Sequence, residues 1–271
     1  MIKIILYSVV IYFVFVTILF VMQRRLLYFP SPARPAEPLV QTSGLAFWPT
    51  ADEPYRGLIS AGQEDEYQGT IIVFHGNAGR AVDRSYYVPA LMPLGYRVLL
   101  AEYPGYGGRP GRPSEAALVA DAKATVELAY QAFGPPIYLW GESLGCGVAT
   151  ALAADAELSI AGLILVTPWD SLPNLAQSIY WFFPARWLVL DQFDNMQQLQ
   201  SFAGPVAVVL AGQDEVIPIR NGHRVYDTFN GPKKLWIFEN AGHNNWPTYS
   251  EERWWREVMA FITQEARDAG R

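Results

Sequence analysis

The fold of this chain is decided by Leu139-Trp140-Gly141-Glu142-Ser143-Leu144-Gly145-Cys146-Gly147. The apolar run Ile137 to Trp140 predicts a buried strand, and the small residues after the serine predict a helix. A G-x-S-x-G sequence between a strand and a helix is typical of a nucleophile elbow, in which larger side chains at Gly141 or Gly145 would collide with neighbouring backbone. Such a turn strains Ser143 and lifts its hydroxyl clear of the sheet. A glycine-rich turn with no catalytic role would show the same pattern, so other parts of the sequence must distinguish the two interpretations.

The composition indicates one large α/β domain. Of the 271 residues, 51% are hydrophobic, including 9 Trp, 15 Tyr and 14 Phe, which is enough to bury a sizeable core. The formal net charge of −6 argues against a nucleic-acid partner. Cys146 is the only cysteine, which excludes an internal disulfide and a metal site built from several cysteines.

Residues 1–23 predict a transmembrane anchor. Ile4 to Met22 is a run of 19 residues without a charge, and a helix of that length spans ~28 Å, close to the hydrocarbon core of a bilayer. A cleaved signal peptide is the main alternative, but the run exceeds the usual ~7–15 apolar residues and no small-x-small site precedes Arg24-Arg25. A core helix is the second alternative. The orientation stays open, because Lys3 and Arg24-Arg25 nearly balance under the positive-inside rule.

Residues 24–39 predict a linker between the anchor and the soluble domain. Leu26 to Phe29 puts aromatic side chains where lipid headgroups begin, and the four prolines between positions 30 and 38 predict a stiff, extended spacer. The soluble domain is therefore expected to begin near Val40 and to extend to residue 271.

Eight apolar runs in the domain predict strands, and helical stretches between most of them predict a mostly parallel sheet with helices on both faces. The runs are Leu45 to Trp48, Gly57 to Ala61, Thr70 to Phe74, Tyr96 to Glu102, Ile137 to Trp140, Gly162 to Val166, Val206 to Leu210 and Leu235 to Phe238. The first two predict an antiparallel pair. Helices are expected at Val82 to Leu94 and at Ser114 to Phe133. Three more are expected directly after the elbow, between Pro218 and Phe229, and near the C-terminus. Gln63 to Gln68 predicts a polar turn.

Residues 171–202 interrupt this alternation. Ile179 to Leu190 is almost entirely aromatic and aliphatic, and an apolar insertion over the ends of the strands predicts a small lid. Its aromatic side chains either contact the membrane or pack on the domain, and both interpretations stay open. Tyr103, Tyr106 and Trp169 follow neighbouring strands and are candidates for the wall of the substrate site, although for the two tyrosines packing is favoured over positioning of a substrate.

A loop of small residues, His75 to Gly79, predicts half of an oxyanion hole. A carbonyl attacked by serine needs two N–H donors aimed at the developing negative charge, and one belongs to the residue after the nucleophile, Leu144. The other is predicted to be the backbone N–H of Asn77. His75 is expected to be a structural histidine, since a residue that begins an oxyanion loop is poorly placed to act as a base.

A serine hydroxyl needs a base, and the base needs a carboxylate to fix its tautomer. Of the three histidines, His243 follows the last strand in a flexible turn, whereas His223 lies in an amphipathic helix, so His243 is the predicted base. Asp214 follows a strand on the same edge of the sheet as Ser143 and is the predicted acid. Asp170, after the preceding strand, is its competitor.

These motifs resemble the α/β-hydrolase superfamily, and closely its membrane-anchored, serine-aminopeptidase-like branch. They are HGNAG at His75 to Gly79, YPGYG at Tyr103 to Gly107, GESLG at Gly141 to Gly145, GQD at Gly212 to Asp214 and GH at Gly242-His243. The resemblance runs from about Val40 to the C-terminus. It implies an α/β-hydrolase fold with a Ser143, Asp214, His243 triad, but it says little about substrate, because members act as esterases, thioesterases and lipases.

The sequence and the resemblance agree on two-step acyl transfer to water from an ester or thioester of small-molecule or lipid-like type. This chemistry requires no metal and no organic cofactor. A lipid- or acyl-protein-directed thioesterase or lipase at the bilayer is the second hypothesis. A non-catalytic, membrane-tethered binding protein that kept the fold is the third, although an intact triad and oxyanion loop argue against it.

Overall fold

The computed structural model describes residues 1–49, 54–62 and 67–269 of the chain. Its eight-stranded sheet consists of β1 Leu45–Trp48, β2 Gly57–Ser60, β3 Gly69–Phe74, β4 Tyr96–Ala101, β5 Ile137–Glu142, β6 Ile160–Val166, β7 Val206–Ala211 and β8 Lys233–Phe238. The strand order is β8-β7-β6-β5-β3-β4-β2-β1. β2 pairs antiparallel with both β1 and β4, and all the other pairs are parallel. The predicted eight-stranded, mostly parallel sheet is confirmed.

Helices cover both faces of this sheet. Within the described residues they are α1 Ile2–Leu27, α2 Glu37–Thr42, α3 Tyr87–Leu91, α4 Glu115–Phe133, α5 Leu144–Ala153, α6 Leu172–Ile179, α7 Ala185–Leu188, α8 Asn195–Leu199, α9 Ile219–Thr228 and α10 Glu252–Ala269. Successive side chains of a strand point to opposite faces. Ile72 and Phe74 of β3 accordingly pack in the core under α4, α5 and α9, whereas Ile71 and Val73 pack in the core under α3 and α10.

The helix predicted at Val82 to Leu94 is broken into three pieces. A 3₁₀ turn at Ala81–Arg84 is followed by α3 and by a second 3₁₀ turn at Met92–Leu94. Pro89 and Pro93 lack the N–H that a continuous helix would use, which explains the breaks. The polar turn expected at Gln63 to Gln68 lies mostly outside the described residues.

Residues 24–39 are extended only in their middle part, and that part lies against the domain instead of forming a free spacer. Helix α1 continues to Leu27, and Phe29–Pro30 then forms a short parallel ladder with Ala78–Gly79. Farther along, the Arg34 guanidinium lies 4.3 Å from the centre of the Phe47 ring. The backbone ladder and the Arg34 cation–π contact hold this segment against the domain. Proline content alone carries no information about such contacts.

The predicted lid consists of α6, α7 and α8, which lie between β6 and β7. Part of its apolar surface is buried, including Leu172 and Leu175, but Trp181 and Trp187 are 78% and 77% exposed. The described chain contains one helix that is long and apolar enough to cross a membrane, α1, with a mean hydropathy of 2.8 and none of that window buried.

Candidate active site

Ser143 occupies the turn between β5 and α5 with φ of +50° and ψ of −112°, a left-handed region that side chains rarely adopt. The two glycines of the motif explain how so tight a turn can form. A Cβ atom on Gly141 would lie 2.6 Å from the carbonyl oxygen of Gly145, and one on Gly145 would lie 1.9 Å from that of Phe74. Hydrogen is therefore the only side chain that fits at either position.

The structure brings together the three side chains that the sequence predicts as a triad. Ser143, Asp214 and His243 all follow the carboxyl ends of parallel strands, at one edge of the sheet. His243 Nε2 lies 3.0 Å from Ser143 Oγ, and its Nδ1 lies 2.8 Å from Asp214 Oδ2. Because an ionised carboxylate only accepts, Nδ1 carries the proton and Nε2 is left to accept from the serine hydroxyl. This is the arrangement that a general base requires.

Backbone donors fix the orientation of the acid. Asp214 Oδ1 accepts from the N–H groups of Val216 and Ile217, at 2.9 and 2.7 Å, which leaves Oδ2 for the imidazole. Glu215, whose side chain the sequence does not connect with the site, accepts the backbone N–H of His243 at 3.1 Å. Its role in holding the histidine loop was missed because nothing in the local pattern links two turns that follow different strands.

Asp170, the competing acid, is engaged elsewhere. Its Oδ1 accepts the Ser171 N–H at 2.7 Å and its Oδ2 accepts from Arg224 Nη1 at 3.1 Å. His223, the third histidine, lies in α9. The geometry therefore favours Asp214 over Asp170 as the partner of His243.

His75 makes the contacts of a structural histidine. It is buried, and its ring nitrogens lie 2.7 Å from the Gly76 carbonyl oxygen and 3.1 Å from Glu102 Oε1. Both ring nitrogens are thus committed to acceptors inside the protein, so the ring has no free nitrogen to offer a substrate.

The loop that carries Asn77 is held on three sides. The Asn77 carbonyl oxygen accepts the Tyr106 hydroxyl at 2.8 Å and the Phe29 N–H at 2.9 Å, and the Asn77 side chain donates to the Leu27 carbonyl at 2.7 Å. Leu144 begins α5, and the first N–H groups of a helix have no partner within it. Both residues line the same cavity as Ser143.

Tyr103 and Tyr106 do not line the cavity and take the packing role that the sequence favours, so Trp169 alone of the three wall candidates remains. Tyr103 and Tyr106 are buried and donate to the carbonyl oxygens of His75 and Asn77, each at 2.8 Å, so they support the oxyanion loop from behind. Burial raises the pKa of Tyr103 well above its ordinary value, which keeps this hydroxyl protonated as a donor. Trp169, by contrast, does line the cavity beside Ser143.

An apolar cavity of about 300 Å³ opens at Ser143. Its lid wall includes Leu172, Leu175 and Ile179, and its opposite wall is formed by helix α1. This second wall could not be recognised from the sequence, in which residues 1–23 predict only a transmembrane anchor. The one available signal is Gln23, a polar residue that directly follows the uncharged run Ile4 to Met22 within α1.

A polar pocket of about 220 Å³ lies on the other side of Ser143. Arg84, Tyr86 and Glu142 line it, and Glu142 binds Arg84 Nε at 2.9 Å and also accepts the hydroxyls of Tyr86 and Tyr87. Burial alone would lower the pKa of Arg84, but the Glu142 carboxylate outweighs it and the pKa is raised. Burial also raises the pKa of both tyrosines. Among the described residues, no group of three or more His, Cys, Asp or Glu could hold a metal ion.

Comparison with known proteins adds a family and a close relative. A family profile described as the alpha/beta hydrolase fold matches residues 69–188. An uncharacterized protein of Mycobacterium tuberculosis (strain CDC 1551 / Oshkosh) is 34% identical over 257 residues, which cover 93% of this chain and 91% of that protein. The similarity to that relative thus includes nearly all of both chains.

Two further similar proteins are named for an activity. The lysophosphatidylserine lipase ABHD12 of Danio rerio is 34% identical over 184 residues, which cover 61% of this chain and 48% of the lipase, so this chain spans about half of that lipase's length. The esterase Pf2001 of Pyrococcus furiosus superposes with a TM-score of 0.69 at 16% identity, covering 88% of this chain and 98% of the esterase. At that identity the likeness is one of fold.

Proposed function

This chain belongs to the α/β-hydrolase superfamily, and from that premise we propose that it is a serine hydrolase that cleaves carboxylic esters through an acyl-enzyme on Ser143. The observation that carries the proposal is the hydrogen-bonded chain Ser143–His243–Asp214, with distances of 3.0 and 2.8 Å. The same steps would cleave a thioester, because the attacked group is again an acyl carbonyl.

The reaction begins when His243 Nε2 takes the hydroxyl proton of Ser143 as its oxygen attacks the ester carbonyl. The N–H groups of Asn77 and Leu144 stabilise the negative oxygen of the tetrahedral intermediate. Its collapse breaks the ester C–O bond, and His243 gives the proton to the leaving alcohol. Water then attacks the acyl-enzyme, with His243 taking its proton and returning one to Ser143, and the acid leaves.

A lipid-like acyl substrate is favoured over a small soluble ester. The cavity beside Ser143 is walled by aliphatic and aromatic side chains such as Leu172 and Ile179, and apolar walls gain free energy from each methylene they bury. The lysophosphatidylserine lipase to which this chain is similar is named for a lipid with one acyl chain. We therefore propose esters of monoacyl lipids as the substrate class, and α1 as an uncleaved membrane anchor.

The nucleophile is tested by Ser143→Ala in the full chain. Turnover of a short-chain p-nitrophenyl ester should fall by on the order of 10⁴–10⁶, because no other group can form the acyl-enzyme. Ser201→Ala, at an exposed serine beyond α8, is the matched control and should retain the wild-type rate. Unchanged turnover in Ser143→Ala would end the proposal.

A fluorophosphonate probe separates this enzyme from a non-catalytic binding protein with the same fold. The probe reacts only with an activated serine, so wild type should be labelled at Ser143 and Ser143→Ala should not. Folded wild type that takes no label would favour the binding protein. An impermeant form of the probe, applied to sealed membranes, also reports on which side of the bilayer the domain lies.

A further inference from the structure

We propose that helix α1 forms one wall of the acyl-binding cavity, and that the cavity receives acyl chains sideways from the leaflet that contains the C-terminal half of α1. The inference rests on the proposed function and adds a specificity-determining role for the anchor. Leu19 is the central residue of this wall, and the bilayer is the source of the substrate.

One face of α1 is turned toward the cavity. Val16, Leu19, Gln23 and Leu27 recur at intervals of three or four residues, which is the spacing of a single helix face, and all four are partly buried while their neighbours on the opposite face are exposed. The same four residues line the cavity that contains Ser143. The substrate site thus includes side chains that an isolated anchor would turn to lipid.

Polar contacts hold this wall in place. The Gln23 side chain accepts the Leu190 N–H at 2.8 Å and donates to the Leu188 carbonyl at 3.2 Å. Arg24 binds both oxygens of the Asp191 carboxylate, at 3.0 and 3.1 Å, a bidentate pairing with fixed geometry. Asp191 is buried, so removal of either partner is costly. The C-terminal part of α1 is therefore joined to the lid residues Leu188 to Asp191, beside the cavity.

The depth of the cavity follows from the length of the helix. The guanidinium of Arg24 marks the level of the headgroups. At 1.5 Å per residue, Leu19 lies ~8 Å and Val16 ~12 Å below that level, within a leaflet whose hydrocarbon layer is about 15 Å thick. The cavity wall thus lies at the depth of lipid acyl chains, and a chain can enter without crossing water.

The lid also has an exposed aromatic side chain near the headgroup level that Arg24 marks. Trp187 directly precedes Leu188, whose carbonyl is bonded to Gln23, and its side chain is 77% exposed. Exposed tryptophan at headgroup level is typical of membrane-interface belts. Of the two interpretations of the lid aromatics in the sequence, membrane contact is thereby favoured for Trp187.

The wall is tested by Leu19→Trp in the full chain reconstituted in phosphatidylcholine vesicles, with Val21→Trp as the matched control. Val21 lies half a turn away, is 75% exposed and does not line the cavity. The readout is the ratio of kcat/KM for p-nitrophenyl dodecanoate to that for the butyrate. Each buried methylene contributes about 4-fold, so loss of room for two or three should lower the ratio about 16- to 64-fold in Leu19→Trp and leave it at the wild-type value in Val21→Trp.

A second variant keeps the test decisive if Leu19→Trp fails to fold. Leu19→Ala enlarges the cavity and should move the preferred chain length upward by about two methylenes. Equal chain-length profiles for wild type and both Leu19 variants would overturn the inference, while hydrolysis by wild type would leave the proposed function standing. A wild type that neither hydrolyses esters nor takes the fluorophosphonate label would instead overturn the proposed function.

The source of the substrate is tested by surface dilution. A long-chain monoacyl ester is incorporated into phosphatidylcholine vesicles at fixed bulk concentration while the vesicle lipid is increased. Added vesicle lipid lowers the mole fraction of substrate in the bilayer. If the substrate enters from the leaflet, the wild-type rate should fall in proportion. A rate that follows the bulk concentration and ignores the mole fraction would overturn this half of the proposal.

Discussion

The apolar cavity and the polar pocket meet at Ser143 and are built in opposite ways. The apolar cavity is enclosed by α1 and the lid, two segments outside the sheet, whereas the polar pocket is lined by loops at the ends of strands. Leu175 and Ile179 present only hydrocarbon, while Arg84 and Glu142 present a buried ion pair. Under the proposed function, this difference assigns acyl selectivity to the added segments and the chemistry to the ends of the strands.

The largest expected effect concerns the acid on the sheet side of this division. Asp214→Asn should lower kcat on the order of 10³–10⁴, because the amide no longer holds the imidazole in the required tautomer. Asp170→Asn is the matched control: its carboxylate binds Arg224 and the start of α6, so it should affect the free energy of unfolding and leave kcat within about 3-fold. The opposite ranking in steady-state rates would reassign the acid to Asp170.

The polar pocket should depend on its ion pair for stability. Arg84→Met leaves the Glu142 carboxylate buried without its cation and should lower the free energy of unfolding by about 3 kcal/mol, measured by urea denaturation. Arg256→Met breaks an exposed pair with Glu252 and should cost under about 0.5 kcal/mol. Adding Glu142→Gln to Arg84→Met should restore part of the loss. A loss no larger than that of the control would mean that the pocket is solvated.

Substitutions of residues that line the apolar cavity should change the preferred acyl chain length of the substrate more than the free energy of unfolding. Leu175→Trp fills part of the lid wall and should lower kcat/KM for a dodecanoate ester about 10- to 30-fold relative to the butyrate, equivalent to roughly 2 kcal/mol of lost acyl burial. Phe229, buried beyond the cavity, offers a control: Phe229→Leu should leave that ratio unchanged. If both variants change the ratio equally, the cavity is not where the acyl chain binds.

The smallest effect concerns Cys146, which packs against the backbone of the elbow. Cys146 lies under the elbow, and burial raises the pKa of its thiol well above the ordinary value. Because the neutral thiol is unreactive, native protein at pH 8 should not react with a disulfide reagent such as dithionitrobenzoate, whereas protein in concentrated guanidinium should react with one thiol per chain. Reaction of the native protein would show that a cavity open to the reagent extends below Ser143 to Cys146.

The parts of the site on the sheet could be predicted from sequence because their causes are local. The elbow needs two glycines within five residues, and Asp214 and His243 each follow a strand whose apolar run is easily recognised. The roles of Tyr103 and Tyr106 could not be predicted, since their hydroxyls bond to carbonyl oxygens of a loop 28 and 29 residues away. The pattern indicates that tyrosines are near the site, but not which way they point.

The cavity wall formed by α1 could not be predicted for a related reason. Hydropathy identifies α1 as an apolar helix but does not report what lies beside it. The partner of Arg24 is Asp191, which is 167 positions away in sequence, and a single acidic residue in a lid has no pattern that identifies it. Contacts of this kind follow only from the packed chain.

The parallel ladder between Phe29–Pro30 and Ala78–Gly79 has a consequence for how such proteins can be recombined. It ties the chain just after α1, the proposed membrane anchor, to the loop that holds Asn77, so α1 is not an interchangeable tether. A chimera that joins a foreign membrane segment at residue 40 would discard backbone bonds of the catalytic loop together with the tether. Exchange of anchors should therefore succeed only for segments grafted ahead of residue 16, where the helix has not yet reached the cavity.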